Sequence, residues 1–500
     1  MKDHAQKRDL IKLRDATLET LPAAVQVPTY DRSQVTPGIV HIGLGNFHRA
    51  HQAWYLHRLM QQGLALDWGI IGAGVRAADA AQQQRLAEQD YLTTLIELKP
   101  DDTMAEVIGP MIGFVPVADD NAALIAQMAD PAIRIVSLTV TEGGYFIDPA
   151  TKGFHADHPD IRHDAQSPDT PRTAFGAMIA ALKKRRSAGH APFTCLSCDN
   201  LQGNGDVLRQ TVLSLARLTD VDLADWIERN GTFPNSMVDC IVPATGPNAL
   251  GLVQGLGIDD AAPVTHESFR QWVIEDQFCA GRPDWDAVGA IFTDHVHDFE
   301  AIKIRVLNGG HQLLANAGEV LSIATIAECM AHPKISAFFE KTAREEIVPH
   351  LKPVPGMAPP AYVDLIKARF ANPRIVDTTR RVAFDGSARH PGFVVPSIKS
   401  GISAGTPITG LALAEALWAR MCAGTREDGT QIEPNDPFWN DLKAVAIAAK
   451  QDPALWLLQE PYYGDLAQSS VFRHAFCSWL TRIWDEGVEA ALTGFLNEAR

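Results

Sequence analysis

The stretch IVHIGLGNFHRAH, Ile39–His51, decides the fold. Its first four residues are mostly β-branched and apolar, which suits a buried strand. Two glycines, Gly43 and Gly45, follow at once, and a helical pattern begins behind them. A strand that ends in glycines and opens a helix is where main-chain amides meet a dinucleotide pyrophosphate. Gly43 permits the tight turn and Gly45 lets the backbone approach the phosphates. His48 stands where GxGxxG has its third glycine, so the motif by itself is a weak signal. The strand before it and the helix after it strengthen the reading. Asn46, Phe47, His48 and Arg49 are therefore expected to touch the cofactor or to close its loop.

The same alternation continues outward. NFHRAHQAWYLHRLMQQG reads as one helix ending at Gly63, and WGIIGAGV as a second strand. YLTTLIEL and AEVIGPMIGFV read as strands that extend or flank the sheet. Then come helix NAALIAQMAD, strand IRIVSLTVT, helix AFGAMIAALKKRRSAG, strand FTCLSC and helix GNGDVLRQTVLSLARL. Apolar strands alternating with helices imply a mostly parallel, doubly covered sheet. Past about residue 295 helical patterns dominate. The fold class expected is α/β, with a Rossmann-type, doubly wound dinucleotide-binding domain over 1–294. A mainly helical substrate and catalytic domain is expected over 295–500. The acidic residue awaited after the second strand is Asp79, later than the usual spacing of about twenty residues. Asp79 favours NAD, while nearby Arg76 would suit the 2′-phosphate of NADP.

Length and composition agree. Five hundred residues exceed one ordinary core. With 46% hydrophobic and 21% charged residues the chain is globular, and a net charge of −16 opposes nucleic-acid binding. No apolar stretch has the length of a membrane span. The N-terminus, MKDHAQKRDLIKLRDATLETL, lacks a secretory apolar core and reads as a short amphipathic arm. The seven cysteines are an odd number, which fits a reducing compartment, so the cytoplasm is the expected location. Cys195 and Cys198 have CxxC spacing, but in a strand such residues point to opposite faces, and no second CxxC completes a zinc site.

KIRVLNGGH, Lys303–His311, lies in a run of helical spacing whose only obvious breakers are Gly309 and Gly310. At 100° per residue, Glu300, Lys303, Asn308 and His311 fall within about a 140° arc. Alone, such a quartet reads equally as a solvated polar stripe.

The motifs GLGNFHRAHQAWY, IVSLTVTEGGYF, SCDNLQGNG, FPNSMVDCIVP, FRQWVIEDQFCAGRPDW and KIRVLNGGH together settle the matter. In that order they resemble the polyol-specific long-chain dehydrogenase/reductase family, from about residue 35 to near the C-terminus. The resemblance implies a zinc-independent enzyme. It implies Lys303 as general base, with Asn200 and Asn308 holding the oxygen of the reacting carbon and Glu300 relaying protons beside the lysine. It also implies substrate contacts from His311, Asp239, Arg381 and Arg389. The family often has lysine at the position of Arg389, and arginine is no neutral replacement there. Arg381 has an alternative partner in a carboxylate such as Asp385.

The implied reaction is hydride transfer between NAD(H) and a polyol/ketose pair, with mannitol and fructose expected first. A partly buried lysine can have its pKa lowered and act as base. Two carboxamides can donate to a developing alkoxide. A sugar-acid reductase of fructuronate or tagaturonate type, and an arabinitol dehydrogenase, are the alternatives. A non-catalytic nucleotide sensor would be expected to lose Lys303, Asn200 or Asn308. No metal, nucleic acid or membrane partner is expected, and the protein should be a monomer or weak oligomer.

Overall fold

The computed structural model describes residues 10–74, 76–118, 120–148 and 153–498. The chain divides into two compact units, Met1–His297 and Asp298–Arg500.

The first unit is built on five strands. They are β1 (Pro37–Ile42), β2 (Gly69–Ala73), β3 (Met111–Val115), β4 (Ile135–Leu138) and β5 (Thr194–Ser197). Their order is β3-β2-β1-β4-β5, and every pair is parallel. Side chains alternate between two cores, as strand geometry requires. Val40, Ile42, Val136, Leu138 and Cys195 enter one core. Ile39, Ile70, Ile135, Leu196 and Cys198 enter the other. The two CxxC sulfurs thus pack on opposite faces, and burial pushes both thiols well above their ordinary pKa. All seven cysteines are free.

Three expectations are corrected here. Thr93–Leu98 and Thr103–Ile108 do not extend the main sheet. They form an antiparallel pair inside a separate four-stranded sheet, and only Met111–Val115 joins the edge. The cause is the turn between Leu98 and Thr103, which folds the chain back on itself before it reaches β3. The helix expected from Asn46 to Gly63 is two helices, Asn46–Ala50 and Gln52–Met60. The break is at His51 (φ −121°, ψ −89°), whose Nε2 lies 2.9 Å from the carbonyl oxygen of Gln271. Third, the amphipathic arm falls partly at residues 1–9, outside the described residues. Its remainder is a two-residue strand, Ile11–Lys12, paired with Ile258–Asp259, and a 3₁₀ turn, Asp15–Thr20.

The second unit is helical. Its centre is Thr409–Cys422, buried at every position from Gly410 onward and packed against Ser470–Glu486 and Gly309–Val320. A helix apolar on all sides belongs in a core. Glu415 and His390 are nevertheless fully buried there, and they satisfy each other at 2.8 Å. Tyr463 donates to Glu415 at 2.7 Å, and Asn316 meets the second imidazole nitrogen at 2.9 Å. Buried charges persist only when paired and hydrogen-bonded. No helix among the described residues is long and apolar enough to cross a membrane.

Candidate functional site

In the first unit the glycine turn sits at the carboxyl end of β1, between β2 and β4. This is the switch point where open α/β sheets bind ligands. Gly43 has φ +96°, and a Cβ there would come within 2.1 Å of the Thr139 carbonyl oxygen, so only glycine fits. At Gly45 a Cβ would meet nothing within 4 Å, which leaves the turn open on that side. Asn46 donates to the Pro243 carbonyl (3.0 Å) and Thr245 Oγ1 (2.9 Å), and accepts from Arg49 at 2.7 Å. Arg49 is buried and also donates to the Ala262 carbonyl. His48 is buried and stacked on His41, with ring centroids 3.4 Å apart. Phe47 stacks on His51. The hydrogen bonds of Asn46 and Arg49 tie the loop to its neighbours.

Asp79 opens the helix Asp79–Ala87 and accepts from the Arg76 amide at 3.1 Å. A Cβ on Gly74 would come within 2.3 Å of the Asp79 Cβ. The late position of Asp79 in sequence is therefore undone by the fold, which returns it to the residue directly after β2.

Asn200 is exposed on the loop after β5. The loop is anchored by its neighbour Asp199, which accepts from the amides of Val140 (3.0 Å) and Thr141 (2.8 Å) and from the Tyr145 hydroxyl (2.6 Å). Asn204 carries the tie onward, donating to the carbonyls of Asp199 and Ser236. Ser236 begins the strand Ser236–Asp239, whose last residue, Asp239, is buried. Sequence reasoning passed over Asp199, Tyr145 and Asn204. The signal available was an acid directly beside Asn200.

At the start of the second unit, the helix Val296–Ile302, whose first two residues close the first unit, runs into a π-helical segment, Lys303–Asn308, and then into Gly309–Val320. The Gly309 amide donates to Ile304, five residues back. A wider turn invalidates the 100° increment used above. It brings residues five apart, such as Lys303 and Asn308, closer to one face than a regular α-helix would. Such π segments occur frequently at functional sites. Glu300, Lys303 and Asn308 are all buried, so the solvated-stripe alternative does not describe them. Gly309 and Gly310 break nothing. They lie inside the helical run, where a Cβ on Gly309 would stand 3.1 Å from the Phe393 carbonyl oxygen.

His311 stacks on Phe370 at 4.3 Å. Burial, chiefly, lowers its pKa to about 4, with Asp377 opposing and Arg381, Arg369 and Arg389 assisting. Arg381 pairs with Asp377, not Asp385, through Nε at 2.7 Å and a terminal nitrogen at 2.6 Å. Asp385 stands at φ +58° where the helix Gly386–Arg389 begins. Arg389 donates to the carbonyls of Val382 and Arg381. Asp377 was missed in the sequence, although it stands four residues before Arg381, a common acid–base spacing. Among the described residues no group of three or more His, Cys, Asp or Glu could hold a metal ion.

A parallel sheet in this strand order, with a glycine turn at its switch point, defines a Rossmann-type unit, and a helical unit follows it. Residues 37–287 match the family model of the mannitol dehydrogenase Rossmann domain, and residues 295–484 that of the mannitol dehydrogenase C-terminal domain. The chain belongs to the mannitol dehydrogenase family. It is 54% identical to a mannitol 2-dehydrogenase of Cereibacter sphaeroides over 473 residues, 95% of this chain and 99% of that one. It is similar to the structure of Pseudomonas fluorescens mannitol 2-dehydrogenase in ternary complex with NAD and D-mannitol. There the TM-score is 0.88 and the identity 41%, covering 98% of this chain and 100% of the other. It is also similar to a D-sorbitol dehydrogenase in substrate-free form, with TM-score 0.89 and 34% identity over 96% and 100%.

Proposed function

We propose that the protein interconverts a polyol and its ketose with NAD(H), with D-mannitol and D-fructose as the first pair. The observation that carries this reading is the likeness, over nearly the whole chain, to an enzyme whose structure holds NAD and D-mannitol. The glycine turn fits such a cofactor: Gly43 makes room for the main chain, and Gly45 presents an open side where a phosphate could approach. Asp79 is assigned to the adenosine ribose, which favours NAD over NADP.

When bound, the nicotinamide supplies the hydride acceptor. The chain's own residues do the rest. Lys303 Nζ takes the hydroxyl proton, and Glu300 passes it onward. The carboxamides of Asn200 and Asn308 donate to the oxygen as it gains negative charge, which lowers the barrier most if they are already in place. In the reverse direction Lys303 returns the proton to the ketose oxygen. His311, Asp239, Arg381 and Arg389 are assigned to the remaining hydroxyls. The reading includes a metal-independent, cytoplasmic enzyme, monomeric or weakly associating, in keeping with its free cysteines.

The deciding assay is NADH oxidation against fructose, xylulose, ribulose, fructuronate and tagaturonate. Fructose is expected to give the highest kcat/KM. If fructuronate wins by about tenfold, or ~1.4 kcal/mol of transition-state preference, the sugar-acid reductase reading replaces this one.

A further inference from the structure

The arginines of the second unit raise a question of charge. Arg381, Arg369 and Arg389 all act electrostatically on His311, and the Asp377 carboxylate opposes them. A substrate carboxylate would be drawn to such a cluster unless its charge were already met. Asp377 is 5% exposed and grips Arg381 through both carboxylate oxygens. Two-point pairs of this kind fix the guanidinium plane as well as its charge. The Arg381 side chain is 64% exposed, so it is held in place by this pair and not by burial.

His311 lies on the other side of the same carboxylate. Its Nε2 is buried and has no hydrogen-bond partner among the described residues. It stands 3.9 Å from Asp377 Oδ2, too far for a hydrogen bond. A neutral imidazole offers one donor and one acceptor, and a carboxylate only accepts. A hydroxyl, which donates and accepts at once, is the group that satisfies both atoms. A second carboxylate at this place would face Asp377 and be repelled.

We infer that Asp377 determines the charge class of the substrate: by neutralising and orienting Arg381 beside His311, it matches the helical unit to an uncharged polyhydroxy chain and disfavours a carboxylated one. The inference rests on the polyol dehydrogenase reading and names the residue that sets its selectivity.

The test is kcat/KM for fructose and for fructuronate, with NADH, in the parent and in variants at this pair. The parent result stands alone: a parent that reduces fructuronate and not fructose refutes the functional reading before any variant is made. In Asp377→Asn, the ratio of fructuronate to fructose is expected to rise tenfold or more, mainly through a lower KM for fructuronate. Asp377→Glu should restore the parent ratio, which a merely structural role would not predict for both substrates. Arg381→Gln leaves the Asp377 charge uncompensated and should move the ratio the opposite way, so the inference stays testable if Asp377→Asn fails to fold. An unchanged ratio in Asp377→Asn, an equal loss for both substrates, or an unchanged ratio in Arg381→Gln overturns it.

Discussion

Phe339 lies directly over the bare main chain of Gly310: a Cβ at that glycine would come within 2.4 Å of ring atom Cε2. Phe339 is fully buried, so the ring has little room to retreat. Gly310→Ala gains about 1 kcal/mol of helix propensity, but overpacking a tight core costs about 1–3 kcal/mol. Net destabilisation is expected, read as a lower Tm. A Tm equal to or above the parent's would show that the ring moves aside freely.

Lys303→Ala should lower kcat by about 100-fold to 10,000-fold, the usual worth of a positioned general base. NAD affinity should stay close to the parent's, because the loss is of a proton-transfer group. Near-normal turnover in this variant would falsify the assignment of the base.

Asp79→Ala removes the carboxylate assigned to the ribose and leaves Arg76 beside it. The kcat/KM ratio of NADP over NAD should rise by about tenfold or more, ~1.4 kcal/mol. A ratio that stays put means that Asp79 does not reach the ribose.

Prolonged chelation should leave turnover unchanged, since the proposed chemistry holds the reacting oxygen by asparagine and lysine. Activity lost on chelation and recovered only with zinc would replace this mechanism by a metal-assisted one.

Acid should weaken the first unit early. Burial lowers the pKa values of His41, His57 and His266 from 6.5 to about 3. Each ring is neutral in the fold and takes up a proton more readily once unfolded. Between pH 6.5 and about 3 the unfolded chain therefore binds more protons, and stability falls as pH drops. Each histidine contributes a loss of up to about 1.4 kcal/mol per pH unit in that window. Melting curves from pH 7.5 to 5 should show Tm declining below 6.5, and a flat profile over that range contradicts this account.

Much of this was legible in the sequence. The strand–glycine–helix at Ile39–His51 placed the parallel sheet, because a tight turn with φ +96° at Gly43 is a local demand that only glycine meets. The family motifs placed Lys303, Asn308 and His311 on one helical run. The break at His51 was not legible, because it depends on Gln271, 220 residues away. Nor was the second sheet, because an apolar strand carries no mark of which neighbour it will pair with.

The sequence by itself determined the two-part architecture, the glycine turn and the residue types available for chemistry, since each follows from local conformational limits and side-chain inventory. Tertiary structure alone decided that Asp79 returns to the end of β2 and that Asp199 anchors the loop of Asn200. It also decided that Lys303–Asn308 winds as a π-helix, and that Asp377 rather than Asp385 meets Arg381. These outcomes rest on close packing and on finding hydrogen-bond partners for most buried polar groups. Both are conditions on atoms brought together from distant parts of the chain, so no stretch of sequence carries them alone.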